Sequence, residues 1–115
     1  MSTAKKSNGE VKKFLSMLSD YDISNPVEQF FNEKSSEFGI GFLAPEVERD
    51  DQGVKLILRI SAMIENVGVE DFKKQPHLKS IQIEYPDHDR TITFDVVEAV
   101  DVSGMEIEVV YRPRE

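Results

Sequence analysis

Ile81-Gln82-Ile83-Glu84-Tyr85, the turn residues Pro86-Asp87-His88-Asp89, and the run Thr91-Ile92-Thr93-Phe94-Asp95-Val96 decide how this chain folds. In both runs apolar and polar residues alternate. Side chains on a strand point to opposite faces with a period of two, so Ile81, Ile83, Tyr85, Ile92, Phe94 and Val96 form an inward set. Gln82, Glu84, Thr91, Thr93 and Asp95 face outward. Proline and aspartate suit the turn, the first by its preset φ and the second by bonding its own backbone.

The same alternation extends in both directions. Downstream, after a break near Asp101 to Gly104, Met105, Ile107, Val109 and Tyr111 form an inward row with Glu106 and Glu108 outside. Arg112-Pro113-Arg114-Glu115 reads as a tail, because proline cannot donate to a ladder beyond Pro113. Upstream, Val54, Leu56, Leu58 and Ile60 oppose Lys55 and Arg59, and Ile57 falls on the polar side. Asp50-Asp51-Gln52-Gly53 is a hairpin turn that leads back to Val47, flanked by Glu46 and Glu48. Residues 61–77 interrupt the pattern, and Val69 to Lys74 could make a helical turn or two before Pro76 stops them.

The inward rows hold more than a dozen large apolar side chains. Each is worth roughly 1.5–3 kcal/mol when buried, before conformational entropy is charged. One sheet cannot cover its own face, so another layer must. The N-terminal third supplies it. Val11, Phe14, Leu15 and Leu18 fall at helical spacing after a capping box at Ser7 and Glu10. A second helix is expected over about 26–37, with Asn25 as N-cap, Pro26 at the first position and Glu28 completing the box. Its apolar face carries Val27, Phe30 and Phe31. The stretch Phe38-Gly39-Ile40-Gly41-Phe42-Leu43 is a poor helix and a weak strand, and reads as a connector. The expected architecture is α+β: an antiparallel sheet of four to five strands, two N-terminal helices over one face, residues 1–9 as a disordered lead-in, and residues 10–115 as a single domain.

Composition narrows the function. A chain of 115 residues buries about two thirds of its unfolded surface and needs no staple. It has no cysteine, which removes thiol chemistry, disulfides and cysteine-ligated metal centres. No apolar run is long enough for a membrane span and the polar N-terminus is no secretory signal, so a soluble cytoplasmic protein is expected. Acids outnumber bases by 22 to 14, a net charge of −8. That field repels nucleic acid and favours a basic protein surface as partner.

Motifs for catalysis are absent. Gly39 and Gly41 lack the third glycine of a dinucleotide loop, no phosphate loop occurs, and Ser103-Gly104 lacks the earlier glycine of a nucleophile elbow. Asp87-His88-Asp89 offers metal-ligand chemistry, but adjacent turn residues rarely converge on one ion and no second cluster completes a shell. No cofactor is expected.

One resemblance is visible. Pro45 to Asp51 followed by Val54-Lys55-Leu56-Ile57-Leu58 resembles the opening hairpin of the small heat-shock (α-crystallin) domain. Gly68-Val69-Glu70-Asp71-Phe72 is similar to its post-strand loop, and Ala99 followed by Gly104-Met105 to its closing section. The chain departs from that pattern at Val67, where the family has proline, and at Glu106, where it keeps an apolar residue. The resemblance implies a β-sandwich that forms dimers and binds unfolded clients.

The function expected from the residues is a small non-catalytic module that binds a protein partner. Its contact would come from Glu46, Glu48, Glu84, Asp95, Glu106 and Glu108 on the outward face, or from Phe38, Ile40 and Phe42 if the glycines bend the connector to present them. The alternatives are a heat-shock-like chaperone and a carboxylate-based enzyme. A homo-oligomer is compatible with all three.

Overall fold

The computed structural model describes residues 9–38, 40–62, 76–103 and 106–115. The helical turns expected between Val69 and Lys74 lie outside them, as do Met105 and the Gly68–Phe72 loop. The element order is α1 (Glu10–Ser16), α2 (Asp20–Phe38), β1 (Ile40–Phe42), β2 (Glu46–Asp50), β3 (Gly53–Ala62), the short α3 (Pro76–Lys79), β4 (Ser80–Tyr85), a 3₁₀ turn (Pro86–His88), β5 (Arg90–Ser103) and β6 (Glu106–Pro113).

The six described strands make one curled antiparallel sheet in the order β1-β3-β6-β5-β4, with β2 also pairing with β3. The protein is a small α+β fold, as the alternation requires. Leu56, Ile83, Phe94 and Ile107 share one interior, joined there by Val54, Leu58, Ile60, Ile81, Ile92, Val109 and Tyr111. Phe14, Leu15 and Leu18 from α1 and Ile23, Val27 and Phe31 from α2 close over them. The described strands form a single sheet rather than a two-sheet sandwich.

Four local expectations are corrected. First, α2 begins at Asp20, six residues before Pro26, which lies inside the helix. Proline removes the N–H that would bond the carbonyl four residues back and costs about 3 kcal/mol in a helix interior. Burial of Ile23 one turn before Val27 offsets that loss, and the Ser19 hydroxyl accepts the Asp22 N–H at 3.1 Å as a start signal. Acidic Asp20 and Asp22 in the first turn suit the positive end of the helix.

Second, α1 is not capped by a side chain of its own: Gly9, at φ 88°, is the N-cap. Its free amides are taken by the Glu115 carboxylate, which accepts from the N–H groups of Gly9 at 2.6 Å, Val11 at 3.3 Å and Lys12 at 3.2 Å. This acceptor lies more than one hundred residues away in the sequence, and the Ser7 side of the expected capping box lies outside the described residues. Third, Ile40–Phe42 is an edge strand pairing with Ile60–Ala62 of β3, rather than a connector.

Fourth, the end of the chain is no loose tail. β6 runs to Pro113, opposite Phe94. The Arg114 N–H donates to the Thr93 carbonyl at 2.7 Å and so brackets the Phe94–Pro113 pair as a non-hydrogen-bonded one. The missing proline N–H therefore costs β5 nothing. On its other side β6 pairs with β3 only as far as Tyr111.

β5 outlasts its expected end by means of two irregularities, between Val96 and Glu98 and between Asp101 and Ser103. An extra residue in one strand shifts the phase of everything after it. Val96 opposite Tyr111 and Ala99 opposite Val109 thus both pack inward although they lie three positions apart. The turn between β2 and β3 has Asp51 and Gln52 at its tip, with Gly53 at φ 110°. The Lys12 stem lies 3.1 Å from where a Gly53 side chain would begin, and its Nζ donates to the Asp51 carbonyl at 2.7 Å. The positive φ favours glycine there, and an added Cβ would also press on the Lys12 stem.

Two substitutions test this account by urea unfolding. Phe31→Ala should cost about 3–5 kcal/mol, because it opens a cavity where helix and sheet meet. Glu115→Ala should cost about 1 kcal/mol, as the loss of a cap does, with an unchanged denaturant slope.

Candidate interaction surface

The outward face of β2, β3, β6 and β5 is built in rows by the strand register. Glu46, Ile57, Val110 and Glu98 lie side by side across four strands, and the next row runs Arg59, Glu108, Val100. Ser61, Glu106 and Ser103 make a third. The centre of this wet face is apolar. Ile57 is half-buried and Val110 buried, although neither belongs to the interior. Beside them β5 leaves Val97 58%, Val100 49% and Val102 51% exposed. Exposed apolar side chains grouped within a border of carboxylates differ from the single scattered hydrophobes found on any surface.

The carboxylates named from the sequence divide into two kinds. Glu46, Glu84, Glu106 and Glu108 face outward, the first two exposed and the last two half-buried. Glu48 is exposed but meets the Lys55 ammonium at 3.4 Å. Asp95 is spent on structure: Arg114 donates to its two oxygens at 2.9 and 2.7 Å, and the Ser80 hydroxyl donates to it as well. The Arg114 guanidinium and that hydroxyl hold the Asp95 carboxyl below its usual range, against the opposing effect of desolvation.

Asp50, on the same side of the molecule, has the same fate. Arg112 donates to both of its oxygens and the Gln52 N–H adds a third bond. Chiefly through the Arg112 bonds its pKa falls from 3.8 to about 2. Paired guanidinium–carboxylate forks of this kind fix geometry. They pin the β6 end to the β2–β3 turn and to β5, and Arg114 also donates to Ser80 of β4 at 3.3 Å.

Of the apolar candidates, Phe38 ends α2 and Ile40 begins β1; their side chains are not among those described. Phe42 is half-buried against the interior, its ring centroid 5.6 Å from that of Phe31. The valines of β5 escaped sequence reasoning. The run Val96-Val97 breaks the alternation, and that break was the available signal of a bulge.

Asp87, His88 and Asp89 are exposed on and after the 3₁₀ turn, with Asp89 left-handed at φ 52°. The His88 ring meets Phe14 edge-on at 5.3 Å, and the Arg90 guanidinium lies 5.0 Å from the same Phe14 ring. Among the described residues no group of three or more histidines and carboxylates converges as a metal site. Among them, too, no helix is long and apolar enough to cross a membrane. Inside, Tyr85 donates to the Ile23 carbonyl at 3.0 Å and Tyr111 to the Leu78 carbonyl at 2.8 Å, and burial pushes both phenols up.

Comparison with known proteins returns nothing: no family model, no curated protein and no solved structure matches the chain.

The lowered carboxylates set the acid limb of stability. A carboxyl whose folded pKa lies below its unfolded value stabilises fully above the unfolded pKa, and that contribution disappears as pH falls through the folded one. Melting temperature should hold steady above pH 5 and fall as pH drops from about 4 toward 2, the window set by Asp50. Arg112→Gln should flatten this fall by up to one proton's worth of slope, as read from circular-dichroism melts across that range.

Proposed function

We propose that this protein is a small non-catalytic interaction module that binds a protein partner through the outward face of β2, β3, β6 and β5. The observation that carries the reading is the exposure of Val97, Val100 and Val102 beside Ile57 and Val110, within a border of Glu46, Glu98, Glu106 and Glu108. The valines supply area to desolvate, and the carboxylates select a partner of opposite charge. Arg59, cross-strand neighbour of Glu108, interrupts the acidic border. The net charge of −8 favours a basic protein surface over a nucleic acid, and the protein acts in the cytoplasm.

The α-crystallin resemblance implies a two-sheet sandwich, whereas the described strands form one sheet, which favours the interaction-module reading over the chaperone one. Among the described residues the two carboxylates with displaced pKa values, Asp50 and Asp95, are both lowered and both bound to arginine. That is ion-pair duty and favours no acid/base chemistry.

Affinity capture with the tagged protein, followed by mass spectrometry and binding measurements on the purified partner, tests the proposal. Glu106→Lys with Glu108→Lys should weaken binding at least tenfold, and Val100→Asp should do likewise. Melting temperature should move by no more than a few degrees, since surface changes usually stay within about 0.5 kcal/mol. Unchanged affinity in both variants would show that this face is not the contact.

A further inference from the structure

A second feature lies at the other edge of the sheet. β4 is the terminal strand, paired with β5 through Ile81–Phe94, Ile83–Ile92 and Tyr85–Arg90, and among the described residues no strand lies beyond it. The direction of its backbone groups follows from the Arg114–Thr93 bond. Phe94 sits in a non-hydrogen-bonded pair with β6, so its N–H and C=O point toward β4. Ile81, Ile83 and Tyr85 therefore bond to β5. The N–H and C=O groups of Gln82 and Glu84 alternate with them and point outward, two donors and two acceptors spaced by one strand repeat.

These groups open into a groove of about 440 Å³ between β4 and α2. Its α2 wall carries Pro26, Phe30 and Glu33, and Pro86 and Asp87 line it on the turn that ends β4. Phe30 is only half-buried, so part of its ring remains for a ligand to cover. Three carboxylates, Glu33, Glu84 and Asp87, line the groove, and no lysine or arginine is among its described lining. An unpaired edge presents a template for another strand, and a helix alongside it limits which side chains that strand brings.

We infer that the β4 edge accepts an extended segment of a partner protein as an added strand, with aliphatic side chains toward Phe30 alternating with lysine or arginine toward Glu84. The backbone bonds specify an extended chain, the Phe30 side specifies apolar residues at every second position, and the carboxylates specify the charge of the others. This goes beyond the proposed outer-face contact, and either surface can fail without the other.

The probe is a blocked six-residue peptide of alternating valine and lysine, titrated into the ¹⁵N-labelled full chain. Saturable shifts should centre on Gln82, Glu84 and Phe30, and amide exchange at Gln82 and Glu84 should slow at least tenfold on binding. The matching valine–glutamate peptide should not bind. Gln82→Pro removes one outward N–H while leaving every β5 bond and every charge in place, so it separates strand addition from simple charge attraction. It should weaken binding at least tenfold with little change in melting temperature. Should that variant fold poorly, the exchange measurement on the unmodified protein decides alone. Binding that survives Gln82→Pro, shifts centred on Val100 and Glu108 instead, or no saturation at millimolar peptide would each overturn the strand-addition inference. The second of these would leave the outer-face reading standing.

Discussion

Phe31 is completely buried between α2 and the sheet, 5.6 Å from the ring of Phe42 and 6.2 Å from that of Tyr111, and the burial of that sheet face is the constraint on which the molecule depends. A curled antiparallel sheet with one apolar side has no stable existence uncovered. Once α1 and α2 are committed to covering it, everything else must hang from the rim or from the outer face. Arginine pairs tie the sheet margins together, and the middle of the outer face leaves valines exposed.

The C-terminal residues illustrate how the rim is closed. Arg112 grips Asp50, Arg114 grips Asp95 and Ser80, and Glu115 caps α1, so the last strand ties β2, β4 and the first helix to one another. On the helix side Arg49 donates to Asp20 at 3.1 and 2.8 Å and to the Leu18 carbonyl at 2.8 Å, holding the joint between α1 and α2 against β2. Single exposed pairs contribute little to stability. Their value here is positional, since each joins elements that are distant in sequence. Asp95 thus differs from Glu106 in having its oxygens bonded to Arg114 and Ser80, although both looked equivalent as outward acids.

The two bulges of β5 have a consequence for function as well as for packing. They let one strand serve β4 with its first half and β6 along most of its length, while its second half stays in phase with the core. The cost is a set of valines that no longer alternate cleanly, and Val97, Val100 and Val102 remain in solvent. Bulges also twist an edge away from easy pairing, a common protection against aggregation. The exposed valines thus lie on an irregular stretch of strand, whereas β4, flanked by α2, is the more regular edge.

Period-two alternation, legible from Val47 to Tyr111, determined the antiparallel sheet, its buried face and the need for a helical cover, because side-chain direction on a strand is a local property. Local rules also located the Gly53 turn. What they could not reach were choices made by distant atoms: the start of α2, where burial of Ile23 outweighed Pro26; the cap of α1, supplied by Glu115; and the pairing of Ile40–Phe42 with β3. The division of the acids followed the same logic, for only the folded register brings Arg114 to Asp95 and leaves Glu106 and Glu108 beside exposed valine. A residue's propensity is written in its neighbours along the chain, but its partner is chosen by what packing brings within reach, and that is a property of the whole fold.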